Sequence, residues 1–127
     1  MQGSLALIIA SGFTRQLKEV FGRTWPNTWV NNNPSYFSDG TFGFNFFHGG
    51  IGYASLPSGH MAAVTAVAVV LWFARPQLRW VSVLACGLVA VGLIGTNYHW
   101  LSDIIAGTFV GWSVGAVVCD SFNRNSG

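Results

Sequence analysis

His99 and Asp103 lie four residues apart in a short polar stretch, residues 98–103, that separates two apolar segments. On a helix this spacing places both side chains on one face. Asp103 can then accept a hydrogen bond from one imidazole nitrogen and leave the other nitrogen free to attack a substrate. The pair also fits a second interpretation, in which the aspartate caps a helix beside a structural histidine.

A second polar segment, Pro57–His60, carries groups that complement this pair. Pro57 and Ser58 are typical of a helix start, with serine as a possible cap. The Ser58 hydroxyl and the Gly59 amide would lie at a helix amino terminus, where anions bind readily. His60 can give and take a proton near neutral pH. A simple turn followed by a helix would explain the same residues.

Lys18 and Arg23 form a third polar segment, near the end of an earlier helix. They can stabilise the helix carboxy end or extend to lipid headgroups. Combined with the other two segments, they predict one pocket for a phosphate-like oxyanion. In this pocket His99, oriented by Asp103, would attack phosphorus, and His60 would protonate the leaving oxygen.

The composition is typical of a membrane protein rather than of a soluble domain. Of the 127 residues, 51% are hydrophobic and 8% are charged, and the mean hydropathy is +0.46. Soluble domains carry about 25% charged residues. The net charge of +2, spread thinly along the chain, gives no support for nucleic-acid binding. The lipid bilayer is therefore an expected partner.

Cysteine and histidine usage gives little support for a disulfide or a metal site. Cys86 and Cys119 both lie in apolar segments, which predicts two small core residues. His48 is an alternative partner for His60 and His99 around a metal ion. No two histidines have the spacing of a metal motif, so no metal is expected.

The hydrophobic pattern predicts an all-α, integral-membrane bundle of about four helices. The first carries an apolar run at residues 4–13 and ends near Gly22, and the others cover about residues 57–74, 80–95 and 102–119. Three glycines spaced by four in the last helix would let helices approach closely. In an antiparallel bundle the three polar segments then share one membrane face.

The connection at residues 24–56 is long for a compact domain, and it is rich in aromatic residues as well as glycine and asparagine. A disordered linker would contain few aromatics. We therefore expect this loop to be functional. It would fold back on the helix ends or lie at the level of the lipid headgroups.

These segments resemble the three motifs of the type 2 phosphatidic acid phosphatases, which are related to bacterial acid phosphatases and vanadium haloperoxidases. The middle motif, Pro-Ser-Gly-His, is intact at residues 57–60. The second half of the third motif, His, three residues, Asp, matches His99 and Asp103. The first motif's Lys and Pro match Lys18 and Pro26 in spacing. The resemblance covers about residues 14–111.

The chain departs from the family motifs at two arginines. The first-motif Arg falls on Trp25, and the third-motif Ser-Arg falls on Gly92 and Leu93. The resemblance implies that both missing arginines would bind phosphate. We expect Arg23 to replace the first, and Asn97 is a candidate neutral donor in place of the second.

The resemblance implies that His99 forms a phosphohistidine, that Asp103 orients it, and that His60 is the general acid. It further implies that no metal or other cofactor takes part and that four residues hold the phosphate: Lys18, Arg23, Ser58 and Gly59.

Membrane members of the family have six helices, with the motifs in the last four. Residues 1–127 are thus expected to form a single membrane domain, the carboxy-terminal part of such a bundle without its amino-terminal helices. The expected activity is hydrolysis of a lipid phosphate or diphosphate. Two alternatives stay open: an inactive member that binds phosphorylated headgroups or a partner, and a headgroup phosphotransferase.

The far end of the bundle carries Arg75 and Arg79 in a short connection and Arg124 in the tail. Short basic connections stay in the cytoplasm. This predicts a site on the non-cytoplasmic face of the inner or plasma membrane.

Overall fold

The computed structural model describes residues 1–29 and 31–125. Five α-helices follow one another along the chain: α1 (Gln2–Phe21), α2 (Tyr36–Asp39), α3 (Gly59–Ala74), α4 (Arg79–Gly95) and α5 (Leu101–Asn125). Single turns of 3-10 helix occur at Ile51–Tyr53 and Pro76–Leu78. Extended pairing within these ranges is limited to isolated bridges, so the all-α prediction is confirmed.

Helix α3 is the central helix and packs against α1, α4 and α5. Two glycines of α5 lie directly on its backbone. A Cβ atom at Gly107 would overlap the Ser58 carbonyl oxygen, and one at Gly111 would overlap that of Ala62. Because Gly115 continues this contact one turn further along both helices, α3 and α5 run in the same direction. The predicted close approach of the glycine face is confirmed.

The core between α1, α3 and α5 is made of small and medium side chains. Its buried members are Ala6, Ala10, Ala66, Val70, Val118 and Cys119. Small residues let the helix backbones approach closely, which is the usual packing mode inside a bilayer.

Helix α4 lies at the periphery, and Ser82 is its buried residue. Its outer face is apolar: Leu88 is 65% exposed and Val91 is 71% exposed. Among the described residues, Pro76–Gly95 and Leu101–Asn125 are long and apolar enough to cross a membrane, whereas Gly59–Ala74 is shorter. These features suggest a membrane protein.

The aromatic-rich segment after α1 folds back over the end of that helix. Gly22 ends α1 with a left-handed backbone, φ 53°, and a Cβ atom there would overlap the Asn45 carbonyl oxygen. The Asn45 amide donates to the Gly22 carbonyl at 2.8 Å, and the Phe47 amide donates to Val20 at 3.0 Å. Further on, the Ser55 amide donates to Arg23 at 3.2 Å.

Because of the directions of α1, α3 and α5, the three polar segments lie at one end of the bundle. The carboxy end of α1 meets the amino ends of α3 and α5 there. The Arg75–Arg79 connection and the Arg124 region lie at the opposite end, because α3 and α5 both run away from the site.

Candidate active site

His99 lies in the segment between α4 and α5 and is 4% exposed. Its Nδ1 atom faces Oδ2 of Asp103 at 3.5 Å, which is longer than an N–H···O hydrogen bond, and it makes no hydrogen bond with any described residue. This leaves Nε2 as the ring nitrogen available to the cavity that His99 lines. The rings of His99 and His60 lie edge to face, with their centroids 6.4 Å apart and an interplanar angle of 66°.

Asp103 is completely buried in the first turn of α5. Its Oδ1 atom accepts a hydrogen bond from Nη1 of Arg23 at 2.6 Å. Its Oδ2 atom accepts from the Ser55 hydroxyl at 2.5 Å and from the Trp100 amide at 3.1 Å. The carboxylate therefore caps α5 and also faces His99.

Arg23 is buried behind Asp103 and does not line the cavity that contains His99. Its Nη1 atom also donates to the Ser102 hydroxyl at 2.6 Å. The guanidinium lies over three aromatic rings at 5.2–5.5 Å, those of Phe42, Phe44 and Trp100.

The Pro57–His60 segment is hydrogen-bonded directly to the start of α5. The Ser58 amide donates to the Asp103 carbonyl at 2.9 Å. The Ser58 hydroxyl caps α3 by accepting from the Met61 amide at 3.3 Å. Ser58 is fully buried and does not line the cavity, whereas Gly59 and His60 do.

An open cavity of about 490 Å³ brings together four of the seven sequence-predicted residues: Lys18, Gly59, His60 and His99. The Lys18 ammonium donates to the Ala54 carbonyl and lies 5.4 Å from the ring centroid of Trp25. A cation, a helix amino terminus and two imidazoles thus share one concave surface. Asp103, Arg23 and Ser58 lie behind it.

Two residues of this region were given no role in the site from the sequence, although Arg15 was expected at the same end of the bundle. Arg15 lies one helical turn before Lys18 and lines the same cavity, and it makes no ion pair with any described residue. The three-residue spacing from Lys18 was the available signal. Ser55, the hydroxyl donor to Asp103, gave no signal because its role depends on the path of the loop.

Comparison with known proteins adds an independent observation. A model of the PAP2 superfamily matches residues 2–126. The chain belongs to the PAP2 superfamily. The curated proteins and the solved structures that were compared gave no match. PAP2 members are mostly phosphatases, so membership supports a phosphatase-type function at the family level.

Trp25, which stands where the first family motif has an arginine, packs against His99. It is 7% exposed, and its ring centroid is 5.1 Å from that of His99. Its indole N–H donates to the Ile51 carbonyl at 2.8 Å. The Trp25 side chain therefore packs on the imidazole ring of His99 and, unlike an arginine, adds no charge.

The third family motif has Ser-Arg where this chain has Gly92 and Leu93, and these two residues lie near His60. Gly92 and Leu93 line a second cavity of about 430 Å³, which His60 also borders. Asn97, the candidate neutral donor, is exposed in a turn with φ 53° and lines neither of these cavities.

Burial lowers the pKa of His99 below the ordinary value, although the nearby Asp103 carboxylate acts in the opposite direction. The neutral imidazole is the form that can attack phosphorus. The metal alternative is not supported within residues 1–29 and 31–125, which hold no cluster of three or more metal-ligating side chains. His48 instead lies against the Tyr53 ring, with centroids 3.9 Å apart.

Proposed function

We propose that the protein is an integral-membrane phosphatase that hydrolyses a lipid phosphate or diphosphate through a phosphohistidine. The observation that supports this most strongly is the shared cavity. It contains His99, His60 and Lys18, while Nδ1 of His99 is turned toward Asp103.

In the first step, Nε2 of His99 attacks phosphorus and a P–N bond forms. The P–O bond to the leaving group breaks, and its electron pair stays on the leaving oxygen. His60, protonated at the start of the step, gives its proton to that oxygen. The product is a lipid alcohol, or a lipid monophosphate when the substrate is a diphosphate.

In the second step, a water oxygen attacks phosphorus and the P–N bond breaks. His60, now neutral, accepts the proton that the water loses. Inorganic phosphate leaves, and both histidines return to their starting protonation states. If a lipid hydroxyl attacked the phosphohistidine in place of water, the phosphoryl group would be transferred to that lipid and the enzyme would be a phosphotransferase.

The non-bridging phosphate oxygens need positive charge and donors. Lys18 supplies a cation, and the amides at the start of α3 near Gly59 supply donors at a helix amino terminus. Arg15 is the second cation of the cavity. Ser58 contributes by capping α3 and fixing these amides, and Arg23 contributes by fixing Asp103.

The predicted orientation is retained as part of the proposal. The cytoplasm would contact the Arg75–Arg79 connection and the Arg124 region, and the cavity would open on the non-cytoplasmic face. The substrate would then be a lipid of the outer leaflet.

The test is phosphate release by purified full chain from a panel of lipid phosphates and diphosphates, with His99→Ala as the control variant. Release that depends on His99 supports the proposal. Binding of phosphorylated lipid without release would favour the inactive binding protein. Transfer to an added lipid alcohol in preference to water would favour the phosphotransferase.

A further inference from the structure

His60 borders two cavities, whereas His99 borders only one of them. The first is the cavity described above, with Lys18 and both histidines. The second, of about 430 Å³, is bounded by His60, Tyr98 and the last turns of α4. The α4 residues in it are Val89, Gly92 and Leu93, and Thr96, which follows the helix, completes the lining.

The proposed reaction places the organic part of the substrate on the side of this second cavity. In phosphoryl transfer the attacking and leaving atoms lie roughly in line through phosphorus. With His99 attacking and His60 protonating the leaving oxygen, phosphorus lies between the two rings. The group attached to the leaving oxygen then extends past His60 and away from His99.

The chemistry of this cavity suits hydrocarbon better than a second phosphate. Leu93 and Val89 line it, and none of its six lining residues is a lysine or an arginine. A phosphate placed there would lose water without gaining a cation, which is costly. The outer face of α4 continues the apolar surface, since Leu88 and Val91 are largely exposed.

We propose that this cavity, the α4 cavity, binds the first part of the hydrocarbon chain of a lipid monophosphate. The inference rests on the proposed function and narrows its substrate class from phosphates or diphosphates to long-chain monoesters. Leu93 and Gly92 are then specificity-determining residues, because they keep the space beside the leaving group uncharged and open.

The test compares the full chain and two glycine variants in mixed micelles, using propyl phosphate, hexadecyl phosphate and hexadecyl diphosphate. A Cβ atom at Gly92 or at Gly87 meets no atom within 4 Å, so both positions of α4 accept a larger residue. Gly92→Phe fills the α4 cavity. Gly87→Phe is the matched control, since Gly87 does not line it.

For the wild type we expect kcat/KM for hexadecyl phosphate to exceed that for propyl phosphate by at least roughly tenfold, the effect of burying about two methylene groups. It should also exceed that for hexadecyl diphosphate, whose second phosphate would lie in a cavity without a cation. Gly92→Phe should lower the ratio of kcat/KM for hexadecyl phosphate to kcat/KM for propyl phosphate to near one. Gly87→Phe should behave like the wild type.

Equal loss on all substrates in Gly92→Phe, an unchanged chain preference in that variant, or a wild-type preference for the diphosphate would each overturn the assignment of the α4 cavity. Phosphate release from none of the three substrates by the wild type would overturn the proposed phosphatase function itself. The two failures are therefore distinguishable.

Discussion

Arg23 and Asp103 form a buried ion pair, with Nη1 2.6 Å from Oδ1 and side-chain exposures of 7% and 0%. The other carboxylate oxygen, Oδ2, lies 3.5 Å from Nδ1 of His99. The guanidinium therefore holds the carboxylate from one side while the His99 ring lies on the other. We infer that Arg23 is a positioning residue that acts through Asp103.

Arg23→Lys keeps the charge but replaces the rigid planar guanidinium, whose Nη1 atom donates to both Asp103 and Ser102, with a flexible ammonium. We expect kcat to fall by roughly 10- to 100-fold, because a misplacement of about 1 Å in a catalytic group can cost that much. KM should change little. Steady-state kinetics on a lipid phosphate measure both values. A raised KM with unchanged kcat would instead show that Arg23 contacts the substrate.

Arg15→Gln tests the cation that lines the cavity beside Lys18. We expect KM to rise roughly tenfold or more, because a hydrogen bond to a charged group contributes about 1.5–3 kcal/mol. Since this interaction is made with substrate and transition state alike, kcat should be retained. Arg75→Gln, at the opposite end of the bundle, is the matched control. Equal effects of the two variants would remove Arg15 from the site.

The lowered pKa of His99 predicts a neutral nucleophile down to pH values below about 6.5, the ordinary imidazole value. The ring is protonated only as the pH falls through this lowered pKa. Asp103→Asn removes a charge that raises the pKa, so the titration should move to still lower pH. Histidine NMR of labelled protein, with His99→Ala to assign the signal, measures both values. A titration above pH 6.5, or an upward shift in Asp103→Asn, would contradict this electrostatic account.

Gly111→Ala tests the contact that places α5 on α3. A methyl group there would overlap the Ala62 carbonyl, and such overpacking typically costs about 1–3 kcal/mol in unfolding free energy. Gly87→Ala adds the same methyl group in open space on α4 and should be neutral or stabilising by up to about 1 kcal/mol. Thermal unfolding in detergent compares the two. Equal stabilities would mean that the glycine contact is not required.

The orientation is tested with single cysteines in a full-length background in which Cys86 and Cys119 are replaced by alanine. A cysteine in the Arg75–Arg79 connection should resist a membrane-impermeant thiol reagent in intact cells. One at residues 36–39 should react, because this part of the loop is exposed at the cavity end. The reverse labelling pattern would move the substrate to the cytoplasmic leaflet.

Local sequence signals predicted the main helices because each has a strong apolar pattern and a marked boundary. Gly22 ends α1 and Ser58 caps α3, as expected. Helix α5 continues past residue 119 to Asn125, and an exposed ion pair at 2.9 Å between Arg124 and Asp120 lies in its last turns. The short helix α2 was not predicted. It is a single turn capped by Ser35 inside a glycine-rich loop.

The site was predictable only in part. The spacing of His99 and Asp103 suggested their proximity, yet His99 precedes α5 and so the pair does not lie on one helical face as expected. The partners of Asp103 could not be inferred, because Arg23 and Ser55 reach it across 80 and 48 residues. Such contacts depend on how the long loop packs over the helix ends, and no local pattern encodes that path.

The most direct test of the central claim is to trap the phosphoenzyme. Full chain mixed briefly with a phosphate-labelled lipid and quenched without acid, which would hydrolyse a phosphohistidine, should carry label on the peptide that contains His99. The label should be absent from His99→Ala. It should be present in Asp103→Asn, formed more slowly. Label on another residue, or label that persists in His99→Ala, would contradict the account.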